Sequence, residues 1–515
     1  MCGVENVQRS IILQNNPFVP LPNGRCRINQ LPPEILSIIF KHGVDDSDSP
    51  EPEDLFEQEQ VFCDDEKSSS VLPECFPFEI LVSCICKLWR NVALETPSLW
   101  TTITVLNTEC PPYGRVAAYL ERSNSISLDI CLDYVSREAL WSPSVETDNF
   151  KALLTLLTPH LSRWASLRVV DQCYDHMYTF LKAVSDPSAP PAIRLKELHL
   201  IYNWCLGSQP SLSDFKFFPH FTLFGGSVPL LRVLVLVGVH IDWNQDWLQS
   251  APNLQRLHLS GHDMNARPSW DAFSAILRGA PALETFEVGY SGPRDYHGEP
   301  LLLPNLLELE FWMSGPQEVI SLLGKLGTPA LKSLTLDFRG EASDFSGLVT
   351  HLAGPATQAV LSPIEQPRSL LSSLETLSIE DLTCDEESAE ILYRELVNLK
   401  VFKLMSRIPG TFFELLYPYW LTPSDPFGTN RPRSKFVAFL PSLQDLFLSG
   451  APICDLTRMV EDRRDAGVPL RAIFMKRCSH MVRSEVIWLR NNLEEFEIIG
   501  DSDDEESVDE YNIDW

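Results

Sequence analysis

The chain is 515 residues long and carries 41 Lys and Arg against 70 Asp and Glu, a formal net charge of −29. With no basic stripe to neutralise phosphates, nucleic-acid binding is disfavoured. A hydrophobic content of 44 % is that of a folded protein, and the length suits several domains or one long repeat array.

The first residues, Met1-Cys2-Gly3-Val4, show no basic region followed by an apolar run, so no secretory signal is expected, and no apolar run is long enough to span a bilayer. The 13 cysteines are scattered and odd in number, which predicts reduced thiols in the cytosol or nucleus. After an extension over 1–28, a helix is predicted from the two prolines of Leu31-Pro32-Pro33-Glu34, since proline suits a first helical turn and an acid suits the positive end of the helix dipole. Ile35, Leu36, Ile38, Ile39 and Phe40 make it apolar around most of its circumference, and Gly43 is the expected stop. A second apolar stretch runs from Phe78 to Ala93 through Ile80, Leu81, Val82, Ile85, Leu88, Trp89 and Val92. So short a segment cannot cover that much apolar surface by itself, so another protein is the expected cover.

Leu-Pro-Pro-Glu-Ile-Leu at 31–36, Ile39-Phe40, Val82-x-x-x-Cys86-Lys-x-Trp89-Arg, and Thr96-Pro-x-Leu99-Trp100 follow one another in the order and character of the F-box. The stretch 29–103 resembles the F-box-like domains of fungal proteins with repeat-rich C-terminal regions. That resemblance implies an all-α module docking on a Skp-type adaptor, and through it on a cullin–RING ubiquitin ligase. It implies that Leu31, Pro32, Pro33, Glu34, Ile35, Ile39, Phe40, Val82, Cys86, Trp89, Leu99 and Trp100 carry the adaptor contact or the module's own packing. The chain departs from the family at 44–77, where a long insert replaces a short loop. Residues 45–66 hold eleven acids and no base, so this insert is expected to be solvated and disordered. Such an insertion is tolerated because loop-closure entropy grows only logarithmically with length.

From about 104 to 500 a different pattern recurs. Leu-x-x-Leu-x-Leu units begin at Leu195, Leu231, Leu254, Leu283, Leu306, Leu331, Leu374, Leu399, Leu443 and Leu470, with looser versions at Ile126 and Trp164. In a leucine-rich repeat the end of this unit is a short strand whose residues alternate between core and surface. Several neighbours fall near the expected ~20–29-residue period, and the spacing stretches from Leu331 to Leu374 and from Leu399 to Leu443. Helical pieces are expected between units, as at 271–279 and 386–396. The Asn or Cys usual just beyond the strand is mostly missing, Cys478 being one of few matches. The expected architecture is thus α+β overall: a small all-α module, then a curved α/β leucine-rich-repeat-like solenoid with a parallel sheet, then an acidic tail over 501–515.

The outward strand positions are the candidate client-binding residues: Arg256, His258, Glu287, Glu308, Glu310, Trp312, Asp337 and Glu380, followed by Lys403, Phe447, Phe474 and Lys476. Their acidic, aromatic middle suits a basic segment of a client protein. No Gly-rich phosphate loop, Gly-x-Ser-x-Gly or His-Glu-x-x-His occurs, so no enzyme, cofactor or metal is expected. The function expected from the resemblance is a substrate-recognition subunit of an SCF-type ubiquitin ligase, with a non-ligase interaction scaffold as the alternative.

Overall fold

A computed structural model describes residues 27–47, 76–135, 143–202, 221–312, 314–339, 343–355, 369–405, 411–417, 419–420, 436–437, 439–449, 456–476 and 483–499. The acidic tail, Cys478, most of the N-terminal extension and the body of the acidic insert lie outside the described residues. The protein is mixed α/β and built around one long parallel sheet of 14 strands. In chain order these are β1 (Thr102–Leu106), β2 (Leu128–Tyr134), β3 (Trp164–Asp171), β4 (Glu197–Tyr202), β5 (Val233–Val237), β6 (Arg256–Ser260) and β7 (Thr285–Gly289). They continue with β8 (Glu308–Trp312), β9 (Ser333–Asp337), β10 (Thr376–Glu380), β11 (Val401–Met405), β12 (Asp445–Ser449), β13 (Ala472–Lys476) and β14 (Glu495–Ile499). Each strand pairs with its predecessor and successor in the chain, so the sheet is open, not a closed barrel.

Every Leu-x-x-Leu-x-Leu unit ends in one of these strands. The reason is visible in β6, where Leu257 and Leu259 point into the core while Arg256 and Ser260 stay half-exposed. The leucine ahead of the strand, such as Leu254 or Leu306, is fully buried and plugs the turn. Helices between strands complete the core layer, for example Trp270–Arg278, capped by Ser269, and Glu386–Glu395, capped by Asp385. The two stretched spacings are absorbed without breaking the sheet. β9 still pairs with β10 and β11 with β12, and the second interval contains a small antiparallel pair, Tyr419–Trp420 with Phe436–Val437. Strands β1 and β14 follow units not singled out above: β14 ends a further copy, Leu493-x-x-Phe496-x-Ile498, with Leu493 buried, and β1 a looser one, Trp100-x-x-Ile103-x-Val105, with Trp100 buried in the plug position.

The asparagine missing after the strands stands before them instead. Asn253, Asn305 and Asn398 each donate from Nδ2 to a carbonyl of the preceding unit, those of Pro229, Pro281 and Ser372, at 2.8–2.9 Å. A backbone stair runs alongside, with Gln255 N–H to Arg232 O, Glu284 to Gln255, Leu307 to Glu284 and Lys332 to Leu307. Neighbouring units are therefore stitched at the strand entrance. Asn305→Ala should cost about 0.5–1.5 kcal/mol, read by denaturant unfolding. Leu257→Ala removes a fully buried side chain and should cost about 2–5 kcal/mol. Melting of that variant indistinguishable from the parent would contradict the burial just described.

At the N-terminal end, α1 (Pro33–Ser47), α2 (Phe78–Ile85) and α3 (Lys87–Leu94) pack together, followed by a 3-10 turn at Pro97–Trp100. Two expectations fail here. Gly43 does not stop α1; the helix runs on because Val44 is buried, and a Cβ at Gly43 would collide with the Phe78 ring. Glycine is there to let α1 approach the residue that opens α2. The stretch 78–93 is two helices, not one. Cys86 takes an extended conformation (φ −157°, ψ 169°) between them, and its Sγ accepts a hydrogen bond from the Trp89 N–H at 3.5 Å.

Candidate interaction surfaces

The N-terminal helices have two apolar sides. Leu36, Phe40 and Val44 recur at helical spacing on α1 and are buried, as are Val82 on α2 and Val92 and Ala93 on α3. Phe40 packs on Trp89 with ring centroids 5.0 Å apart, and the Trp89 indole donates to Asn29 Oδ1 at 2.8 Å. Trp100 is fully buried. Its indole donates to Ala93 O at 2.8 Å, its ring meets Tyr119 edge-on at 5.1 Å, and the Arg122 guanidinium lies 4.4 Å above it. Tyr119 also donates to the Glu79 carboxylate; burial, followed by that carboxylate, pushes the phenol pKa up. A single hydrophobic core thus runs from these helices into the first strands of the sheet.

The opposite side faces water. Ile35, Ile38 and Ile39 form an i, i+3, i+4 stripe on α1, and Leu81 and Ile85 sit i, i+4 on α2, with Leu88 on α3. All are exposed, Ile38 by 53 % and Ile85 by 60 %, and Phe76 just ahead of α2 is exposed as well. Among the sequence candidates, Pro32, Pro33, Glu34, Ile35 and Ile39 lie on this outer side, and Leu31, Cys86 and Trp89 are half-buried at its margin. Phe40, Val82, Leu99 and Trp100 do not belong to it. They are inside, because their spacing places them against neighbouring helices and the first units of the sheet. Ile38, Leu81, Ile85 and Leu88 belong to the outer surface although the motif alone does not single them out; the signal was the apolar circumference of both helices.

The second surface is the face of the sheet away from the helices. Strand register lines up one row across it: His258, Glu287, Glu310, Thr335, Ser378, Lys403, Phe447 and Phe474 are successive partners from β6 to β13. The row beside it reads Gly289, Trp312, Asp337, Glu380 and Met405. Gly289 lacks a side chain where a Cβ would press on Trp312, whose ring reaches His258 edge-on at 5.3 Å.

The acidic middle is less free than its sequence suggests. Glu287 is buried and accepts from Arg256 Nε at 2.8 Å and His258 Nδ1 at 2.7 Å. Burial would raise its carboxyl pKa, but these two partners outweigh it and hold the value below normal. Asp337, also buried, accepts from Arg339 Nη2 at 2.6 Å, and Arg339 Nε reaches Glu380 at 3.3 Å. Arg339 stands just past β9 and has no part in the repeat pattern, so only the fold pairs it with two acids. His258, Glu287 and Asp337 are therefore occupied in internal pairs, while Glu308 is exposed and Arg256, Glu310, Trp312 and Glu380 are half-exposed. Glu310 has a neighbour problem: burial first, then Glu287 and Asp337 on adjacent strands, push its carboxyl up to about 8. Further along, Phe447 and Phe474 stack at 4.4 Å, with Lys403 Nζ 5.4 Å over the Phe447 ring.

No protein-family model matches this chain, and no curated protein matches it. Among the described residues, no helix is long and apolar enough to cross a membrane, and no group of three or more His, Cys, Asp and Glu is placed to hold a metal ion.

Proposed function

We propose that the protein is a substrate-recognition subunit of an SCF-type ubiquitin ligase, with an F-box-like module at 29–103 and a leucine-rich-repeat solenoid after it. The observation that carries this reading is the exposed stripe of Ile35, Ile38, Ile39, Leu81, Ile85 and Leu88 on helices whose other sides are already packed. Isolated apolar residues on a surface need no explanation, but stripes of them on adjoining helices mark a binding face. Of the residues that resemble the F-box motif, Ile35 and Ile39 belong to the stripe, Leu31, Cys86 and Trp89 border it, and Phe40, Val82, Leu99 and Trp100 pack the helices that carry it. An adaptor laying its own helices against this stripe would bury it in the helix-in-groove manner.

The module contributes no bond chemistry in this reading. It tethers, and the open sheet face holds a client near a ubiquitin-charged enzyme, which raises effective concentration. The shared core through Trp100 and Tyr119 supports the same role, since it ties the docking helices to the first units of the array. A pull-down with a purified Skp-type adaptor tests the proposal. Retention by the parent chain, reduced by Leu31→Ala/Pro32→Ala, is the expected result. Absence of retention by a well-folded parent would leave a scaffold without ligase function.

A further inference from the structure

We infer that the open sheet face between β8 and β13 holds an extended peptide lying across the strands. A lysine or arginine of that peptide sits at Glu310 and Trp312, and a large apolar side chain about six residues away sits on the Phe447–Phe474 pair. The inference rests on the client-binding role proposed for this face, but not on adaptor docking.

Charge complementarity places the cation. Glu287 is served by Arg256 and His258, and Asp337 and Glu380 share Arg339. Glu310 lies between these two sets in register, opposite Glu287 on one side and Thr335 on the other, and among the described residues no ion pair reaches it. Trp312, two residues on, has its indole nitrogen shut off from water and within reach of the Glu310 carboxyl, where it favours the ionised form. An incoming ammonium or guanidinium would find a carboxylate and a tryptophan ring together, a pairing that attracts cations through both charge and quadrupole.

Register places the apolar anchor. From Glu310 the same row passes Thr335, Ser378 and Lys403 to reach Phe447, four strand steps away. At about 4.8 Å per strand this is about 19 Å, which an extended chain covers in about six residues. Thr335 and Ser378 are short and leave room for a backbone beside Glu310, while Lys403 is the long side chain of the row and reaches over the Phe447 ring at 5.4 Å. Phe447 and Phe474 are half-exposed and stacked, a flat apolar platform of the kind that carries binding energy at interfaces.

A phage library of random linear peptides panned on the full-length protein tests this. Selected peptides should share Lys or Arg about five to seven residues from Phe, Trp, Tyr or Leu. A fluorescein-labelled peptide of that sequence should then bind at least ~10-fold more weakly to Glu310→Gln and to Phe447→Ser, while the milder Phe474→Leu keeps most of the affinity. Parallel melting curves confirm that the variants fold. Because the cation needs Glu310 ionised among Glu287, Asp337, Glu308, Glu380, Arg256, His258, Arg339 and Lys403, binding to the parent should tighten from pH 7 to 9, by up to about tenfold, and stay flat in Glu310→Gln. No enrichment, a motif without a basic residue, or binding unmoved by both substitutions overturns the inference. The assay contains no adaptor. Peptide selection with no adaptor retention would sink the ligase reading alone, and the reverse would sink only this one.

Discussion

A chain with Ile38→Asp and Leu81→Asp is expected to lose all detectable retention by a Skp-type adaptor while melting within about 1 kcal/mol of the parent. Both side chains are about half exposed, so aspartate there meets water in the free protein and costs little. In a docked complex the same carboxylates would be stripped of water with no partner, which costs several kcal/mol each and is more than one docking face can absorb. Phe40→Ala should behave in the opposite sense. It directly follows Ile39 of the stripe but is only 1 % exposed, against Trp89, and its loss should cost about 3–5 kcal/mol of stability. Retention undiminished in the double aspartate variant would show that this stripe is not the docking face.

Glu310→Gln is expected to stabilise the protein at alkaline pH. A free glutamate ionises near 4.5, whereas Glu310 holds its proton up to about 8. Between those values the folded chain carries a proton that the unfolded chain has released. Stability therefore declines as pH rises through that window and levels off above it. Glutamine keeps the shape of the protonated acid and cannot ionise, so the decline should shrink in the variant. After discounting for partial solvent contact, the gain at pH 8.5 should be about 1–3 kcal/mol, with no difference near pH 4. Denaturant unfolding of both proteins at the two pH values measures it, and curves that stay parallel across the range would show Glu310 ionising normally. The same substitution should weaken the peptide, so stability and binding would move in opposite directions, as happens where a fold keeps a strained group for recognition.

Much of this architecture was legible along the chain. A Leu-x-x-Leu-x-Leu unit states its own burial pattern, because alternation in a strand assigns each residue to a face, and each of the ten units named from the sequence ends in a strand of the sheet. Strands β1 and β14 were harder to foresee: in β1 Ile103 and Val105 alternate correctly but Trp100 stands where the other units have leucine, and β14, though led in by the buried Leu493, is mostly exposed. The helices near the amino end presented another limit. Apolar residues all round a helix say that more than one side must be covered, without saying which side the protein covers itself.

The sequence by itself determined where strands form, which residues face away from the helices, and that short apolar helices precede the array. Those are local properties, written in periods of two and about 3.6 residues. Only the tertiary structure decided that Phe40 and Trp100 go inside while Ile38 and Leu81 stay out, that Gly43 serves a helix contact and that Cys86 separates two helices. It also decided that Arg339, outside any repeat position, pairs with Asp337 and Glu380, while among the described residues no ion pair reaches Glu310. Such outcomes depend on which distant segments meet, and no spacing along one chain encodes the charge or volume of a neighbour many residues away.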